Sequence, residues 1–282
     1  MIPTLVSADW LKTNLHQLVV FDASSHLPTA GRNPREEFLA AHIPGAQRFD
    51  IDRIADPDSQ LPHMAPSPDD FAVHMRALGI SNDDHVVIYD DSDVKSAARG
   101  WWMMRLFGHR GVSILNGGLA AWKAAGGDLD SGPERERPAG DFTARPAAGV
   151  AAVHMASLQA GIESGTAGQI LDARAAARFA GAAPEPRKGL RAGHIPGSRN
   201  LPFTDLLNED GTYRDASSMR DLFVASGIAP DAPVVTSCGS GVTACVLAVG
   251  LHLLGNEAVS VYDGSWTEWG ASDAPIETGA AE

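Results

Sequence analysis

Cys238 is the residue in this chain best placed for covalent chemistry. It ends the apolar run Pro233-Val-Val-Thr-Ser237 and is followed by Gly239-Ser-Gly-Val-Thr243, after which residues 244–254 have the composition of an apolar helix. A loop of small residues between a strand and a helix lets backbone N–H groups converge, and the helix N-terminus adds partial positive charge. Such a loop can hold a thiolate or a persulfide, and the chemistry that suits it is nucleophilic attack by sulfur. The second of the two cysteines, Cys245, falls among Ala, Val and Leu inside the expected helix and reads as a packing residue.

The element that delivers Cys238 is one of several like it. Short apolar runs at 18–22, 86–89, 170–172, 233–237 and 259–262 read as buried parallel strands, and segments 67–78, 94–107, 217–226 and 242–254 carry apolar residues at helical spacing. Alternation of the two kinds predicts an α/β fold around a parallel sheet, with reactive groups beyond the carboxyl ends of the strands. The series also repeats. Ala41-His-Ile-Pro-Gly-Ala46 returns as Gly193-His-Ile-Pro-Gly-Ser198, and Phe21-Asp-Ala23 as Leu171-Asp-Ala173. In the same order, Val86-Val-Ile-Tyr-Asp90 matches Val234-Val-Thr-Ser-Cys238, and Asn116-Gly-Gly-Leu119 matches Asp263-Gly-Ser-Trp266. Four ordered anchors, offset by about 150 residues, indicate two copies of one domain. The expected division is a first domain over 1–125, a Gly- and Pro-rich linker over 126–149, and a second domain over 150–282.

Bulk properties narrow the partners. With 282 residues, the chain is long enough for two cores, and with 22 Lys and Arg against 35 Asp and Glu its net charge of -13 disfavours nucleic acid and anionic membranes. No run approaches the roughly 20 apolar residues of a membrane helix, and the first residues do not read as a secretion signal, so a cytoplasmic protein is expected. Two cysteines build neither a disulfide framework nor a four-cysteine zinc site. His42 and His194, duplicated in the two His-Ile-Pro-Gly segments, read as structural residues bonding backbone near a turn, and no metal or cofactor is expected.

The paired His-Ile-Pro-Gly segments, the loop 238–243 and the closing Asp263-Gly-Ser-Trp266 resemble the tandem rhodanese-domain sulfurtransferases, in particular those acting on 3-mercaptopyruvate. The resemblance runs from about Leu5 to Gly270. It implies two rhodanese-like domains, each a parallel sheet of about five strands flanked by helices, with the active site between them and only the second domain catalytic. In the first, Asp90 stands where the second has Cys238; it has no transferable sulfur and no evident reason to sit in an anion cradle, so it is expected to be inert. The resemblance implies Cys238 as nucleophile and Ser240, His63 and Asp52 as a relay that positions the donor and moves a proton. It also implies Arg178 and Arg187 as the clamp on a 2-oxo acid, with Gly239, Gly241, Val242 and Thr243 lining the substrate. Trp266 and Trp269 either pack over the site or fill the core.

The reaction so implied runs in two steps. Cys238 takes sulfur from 3-mercaptopyruvate, pyruvate leaves, and the persulfide passes its sulfur to cyanide, a small thiol or reduced thioredoxin. Thiosulfate is the alternative donor, but enzymes of this fold that use it carry Arg and Lys after the cysteine, where this chain has Gly239 and Ser240. A phosphatase would need an arginine six positions after the cysteine, where Ala244 stands. A non-catalytic sulfur carrier or interaction module would have no use for Cys238, Arg178 and Arg187 together.

Overall fold

The computed structural model describes residues 2–145 and 149–280. They form two compact units, each built on its own five-stranded parallel sheet.

In the first unit the chain runs β1 (Leu5–Val6), α1 (Ala8–Asn14), β2 (Val19–Asp22), α2 (Pro34–Ala40), β3 (Gln47–Arg48), α3 (Pro68–Ala77), β4 (Val86–Tyr89), α4 (Ala97–Leu106), β5 (Val112–Leu115) and α5 (Gly118–Ala124). The sheet order is β1-β5-β4-β2-β3. Every residue of β2, β4 and β5 is buried, as strands covered by helices on both faces must be. Helix starts follow the sequence. Asn33 accepts from the N–H groups of Arg35 and Glu36, Ser67 accepts from Asp70, and a proline opens both α2 and α3. One core cluster gathers Leu11, Phe38, Ile43, Tyr89, Leu115 and Trp122.

The second unit repeats the plan with β6 (Val150–Val153), α6 (Met155–Glu163), β7 (Gln169–Asp172), α7 (Ala176–Phe179), β8 (Arg199–Asn200), α8 (Ala216–Ala225), β9 (Val234–Ser237), α9 (Ala244–Leu253), β10 (Val259–Tyr262) and α10 (Ser265–Trp269). Its order, β6-β10-β9-β7-β8, is that of the first unit strand for strand. The helix α9 is apolar all round, and its residues from Ala244 to Leu251 are buried, which makes it a core helix. Trp266 and Trp269 are buried with Tyr262, Leu158 and Ile195, which resolves their role: they fill the core.

The expected division of the chain differs from the structure in three places. Most of the stretch expected as linker belongs to the first unit, over Gly126 to Arg145. Trp122 Nε1 donates to Asp128 O, His42 and Asp130 bridge, Gly140 N donates to Arg76 O, and Phe142 is fully buried with its N–H on Ile80 O. The last part of that linker, 146–148, lies outside the described residues. Two short segments pack with the unit opposite their place in the chain: Asp58–Met64 with the second and Glu209–Thr212 with the first. Thr212 and Asp210 approach Gly117, where a Cβ would stand 3.1 Å from Thr212 Cγ2.

Candidate active site

The order of the second sheet reverses between β9 and β7, the place in such sheets where the carboxyl ends of two neighbouring strands can present a site. The end of β9 delivers Cys238, and the end of β7 delivers Asp172, Arg174 and, on α7, Arg178. Cys238 is 2% exposed and unpaired.

The loop after Cys238 is held from behind by α10. Ser265 Oγ accepts from Cys238 N and from Gly241 N, each at 3.1 Å, and donates to Tyr262 O at 2.7 Å. Trp266 N donates to Cys238 O, and Thr267 N to Gly239 O. These bonds use the outer face of the loop. Among the described residues, the N–H groups of Gly239, Ser240, Val242, Thr243 and Ala244 donate to no protein acceptor. They are the donors that the small-residue loop was expected to present. Gly241 differs from the expectation: its N–H is given to Ser265, its carbonyl accepts from Cys245 Sγ at 3.2 Å, and its φ of +74° makes it the turn of the loop. Cys245 is buried in α9 and packs as read.

Arg178 lies against this loop. A Cβ on Gly239 would stand 3.2 Å from Arg178 Nη2, so a side chain at that position would press the guanidinium back by a few tenths of an ångström from the peptide beside the nucleophile. Behind Arg178 stands Glu185, with a side chain only 4% exposed. Its Oε2 accepts from Arg178 Nε at 3.1 Å and from Nη2, and its Oε1 accepts from Arg174 Nη1 at 2.6 Å. Arg174 is fixed in turn by Asp172, by Gly193 O and by stacking 4.4 Å over the Trp266 ring. Burial works to lower the Arg174 pKa, but Asp172 and Glu185 outweigh it and hold the guanidinium above its ordinary value. Arg191 donates to the carbonyls of Trp269, Gly270 and Ala274 and is structural.

His63 reaches Arg187 rather than Ser240: Arg187 Nη2 and His63 Nε2 are 3.3 Å apart. The His63 backbone is left-handed at φ +62°, a conformation that L residues hold only where the surroundings enforce it. Ser240 Oγ has no hydrogen-bond partner among the described residues. Asp52 lies in the first unit, exposed, its N–H on Asp50 Oδ1. His42 and His194 are structural, as read. Each lies stacked on a phenylalanine, Phe38 or Phe179, with Nδ1 on that residue's carbonyl oxygen.

The corresponding loop of the first unit is filled from within. Asp90 Oδ2 accepts from Ala97 N at 2.8 Å and Oδ1 from Ser92 N at 3.3 Å. Asp90 therefore does have a reason to sit in an anion cradle, because its own carboxylate is the anion. Burial pushes that carboxyl up to about 6, against the lowering pull of the Ala97 N–H and of Lys95. Two residues that support this site escaped the sequence reading, Ser265 and Glu185. The first had a signal in the repeat, since Ser265 replaces Gly118; the second had none, because its partners lie 11 and 7 residues away through a turn.

Comparison with known proteins assigns the chain to a family. The model of the rhodanese-like domain matches twice, over residues 7–125 and 154–272, and the chain belongs to that family. The 3-mercaptopyruvate sulfurtransferase of Escherichia coli is 44% identical over 96% of this chain and 97% of its own length. A mitochondrial thiosulfate/3-mercaptopyruvate sulfurtransferase of Arabidopsis thaliana is 42% identical over 97% of this chain and 78% of its own. Among solved structures, the crystal structure of the E. coli protein SseA, described as a 3-mercaptopyruvate sulfotransferase, superposes with a TM-score of 0.84 at 41% identity, over 94% of this chain and 99% of that one.

Proposed function

We propose that this protein is a sulfurtransferase that takes sulfur from 3-mercaptopyruvate and passes it, through a persulfide on Cys238, to a thiol or to cyanide. The observation that carries the reading is the seating of Arg178 against Gly239. It sets a cation for a carboxylate beside the nucleophile, while the loop itself carries no charge.

In the first half-reaction the Cys238 thiolate attacks the donor sulfur. An S–S bond forms, the C–S bond breaks, and its electron pair passes to C3 as the enolate of pyruvate; the proton of the donor thiol ends on C3. Cys238 is left as a persulfide anion, held by the free N–H groups of Gly239, Ser240, Val242, Thr243 and Ala244. In the second half-reaction an acceptor thiolate or cyanide attacks the outer sulfur and Cys238 leaves as thiolate. Arg178 and Arg187 hold the 2-oxo acid. Proton delivery to C3 is assigned to Ser240 and His63, with Asp52 the third member that the family resemblance implies. Reduced thioredoxin and small thiols fit the acceptor step. Two free thiols suit a reducing compartment, and the cytoplasm is the compartment proposed.

The test is pyruvate release from 3-mercaptopyruvate by purified protein. Cys238→Ser should abolish it, since a serine oxygen cannot carry the transferred sulfur, and Cys245→Ser should retain it. A Cys238→Ser protein that still turned over at a tenth of the wild-type rate would remove the nucleophile and the reading with it.

A further inference from the structure

The clamp arginine does not stand alone, and its support carries a charge. We propose that Glu185 is a positioning and specificity-determining residue: it aims Arg178 at the donor carboxylate and keeps the pocket matched to a monoanion. The inference rests on the reading of Arg178 as the carboxylate clamp.

Glu185 Oε2 takes the Nε edge of Arg178, receiving Nε and one N–H of Nη2. Nη1 and the second N–H of Nη2 are left for a ligand, since among the described residues Nη1 has no acceptor. These two form a fork that suits the two oxygens of a carboxylate, and Nη2 is the atom nearest Gly239. The aim is fixed because the Glu185 side chain is buried and bonded at both oxygens. Its other oxygen is held by Arg174, whose guanidinium is clamped by Asp172, Gly193 O and the Trp266 ring. An order therefore runs from the core at Trp266 through Arg174 and Glu185 to the exposed tip of Arg178. Without Glu185 a partly exposed arginine samples many rotamers, and each donor molecule would have to restrict them on binding.

The same carboxylate sets the charge. Arg174 and Arg178 face Asp172 and Glu185, two cations against two anions, so the cluster is neutral. A donor with one carboxylate finds a directed fork rather than an excess of charge. A dianion such as thiosulfate can also take the fork, but it carries a second negative charge that no further cation of the cluster offsets and that meets the nearby Glu185 carboxylate. Replacing Glu185 by Gln adds one net positive charge and loosens the aim, so the two donors should respond in opposite directions.

The experiment measures kcat and KM for 3-mercaptopyruvate and for thiosulfate, with one acceptor, in wild type, Glu185→Gln, Glu185→Asp, Arg178→Ala and the double variant Arg178→Ala/Glu185→Gln. Glu185→Gln should raise KM for mercaptopyruvate about 5- to 20-fold with kcat within about 3-fold, and should raise the thiosulfate-to-mercaptopyruvate ratio of kcat/KM at least about tenfold. Glu185→Asp keeps the charge but is too short to hold both arginines, so its KM should rise while the donor ratio moves less than about 3-fold. In the Arg178→Ala background, Glu185→Gln should change mercaptopyruvate KM by less than about twofold. Equal losses on both donors in Glu185→Gln, or an unchanged KM and ratio, would overturn the proposal. If Glu185→Gln does not fold, Glu185→Asp decides it, an unchanged KM being the contrary result. An unchanged mercaptopyruvate KM in Arg178→Ala would instead sink the clamp itself.

Discussion

Donor choice is expected to turn on what stands beside Cys238. Gly239 and Ser240 bring no charge to the loop, and Gly239 has a second consequence that only the structure reveals: any side chain there meets Arg178 Nη2 at 3.2 Å or closer. The double variant Gly239→Arg/Ser240→Lys should therefore move the donor preference from both sides. It displaces the fork that mercaptopyruvate needs, and it supplies two cations near the reacting sulfur, each contributing about 1 kcal/mol or more to a dianion. The ratio of kcat/KM for thiosulfate over mercaptopyruvate should rise at least about 30-fold. Wild type should prefer mercaptopyruvate. A double variant whose ratio stays put would place specificity elsewhere in the pocket.

At the level of elements, the nucleophile loop is shaped by the start of α10 as much as by its own glycines. Ser265 sits at φ +49°, a backbone region unfavourable to a residue with a Cβ, and accepts the N–H groups of Cys238 and Gly241. Ser265→Ala should remove the acceptor that both N–H groups share, at a cost of about 1 to 3 kcal/mol, and lower both the melting temperature and the rate of Cys238 alkylation. A variant with wild-type stability and alkylation rate would show that the loop holds its shape unaided. The same elements show what was legible in the sequence. Strands such as Val86–Tyr89, whose four residues are all apolar and buried, stood out, and so did α9 and the cysteine at the end of β9. The edge strands Leu5–Val6, Gln47–Arg48 and Arg199–Asn200 have two residues each, too few to show a period, and exist because a neighbouring strand pairs with them. The stretch from Gly126 to Arg145 read as a linker because its composition is that of a loop, and it is held mainly through backbone bonds and the single anchor Phe142. Glu185 was invisible for a related reason: buried carboxylates are identified by the cations around them, and those meet only in the fold.

Across the whole molecule, one plan has been put to two uses. Both units carry the same five-strand order, and the loop after the central strand opens on Asp90 in one and on Cys238 in the other. A buried carboxylate held near 6 rather than at its ordinary value favours the protonated folded state, so its contribution is intact at low pH and is lost as pH rises from about 4 through 6. Asp90→Asn keeps an acceptor for Ala97 N without the charge. Its stability relative to wild type should therefore climb over that interval and level off above it, by up to about 3 kcal/mol. A difference that is flat from pH 4 to 7 would show that Asp90 is not buried as an anion. In the second unit the N–H groups of Gly239, Ser240, Val242, Thr243 and Ala244 donate to no acceptor among the described residues, and a sulfur transferred to Cys238 is expected to occupy them. The most direct measurement is a single turnover: wild-type protein mixed with 3-mercaptopyruvate in the absence of acceptor, with pyruvate quantified and the peptide carrying Cys238 weighed by mass spectrometry. The expected result is one pyruvate per chain and the mass of one added sulfur on Cys238 with none on Cys245, the added sulfur being removed by cyanide as thiocyanate. Pyruvate released without sulfur on Cys238, or sulfur found on another residue, would contradict it.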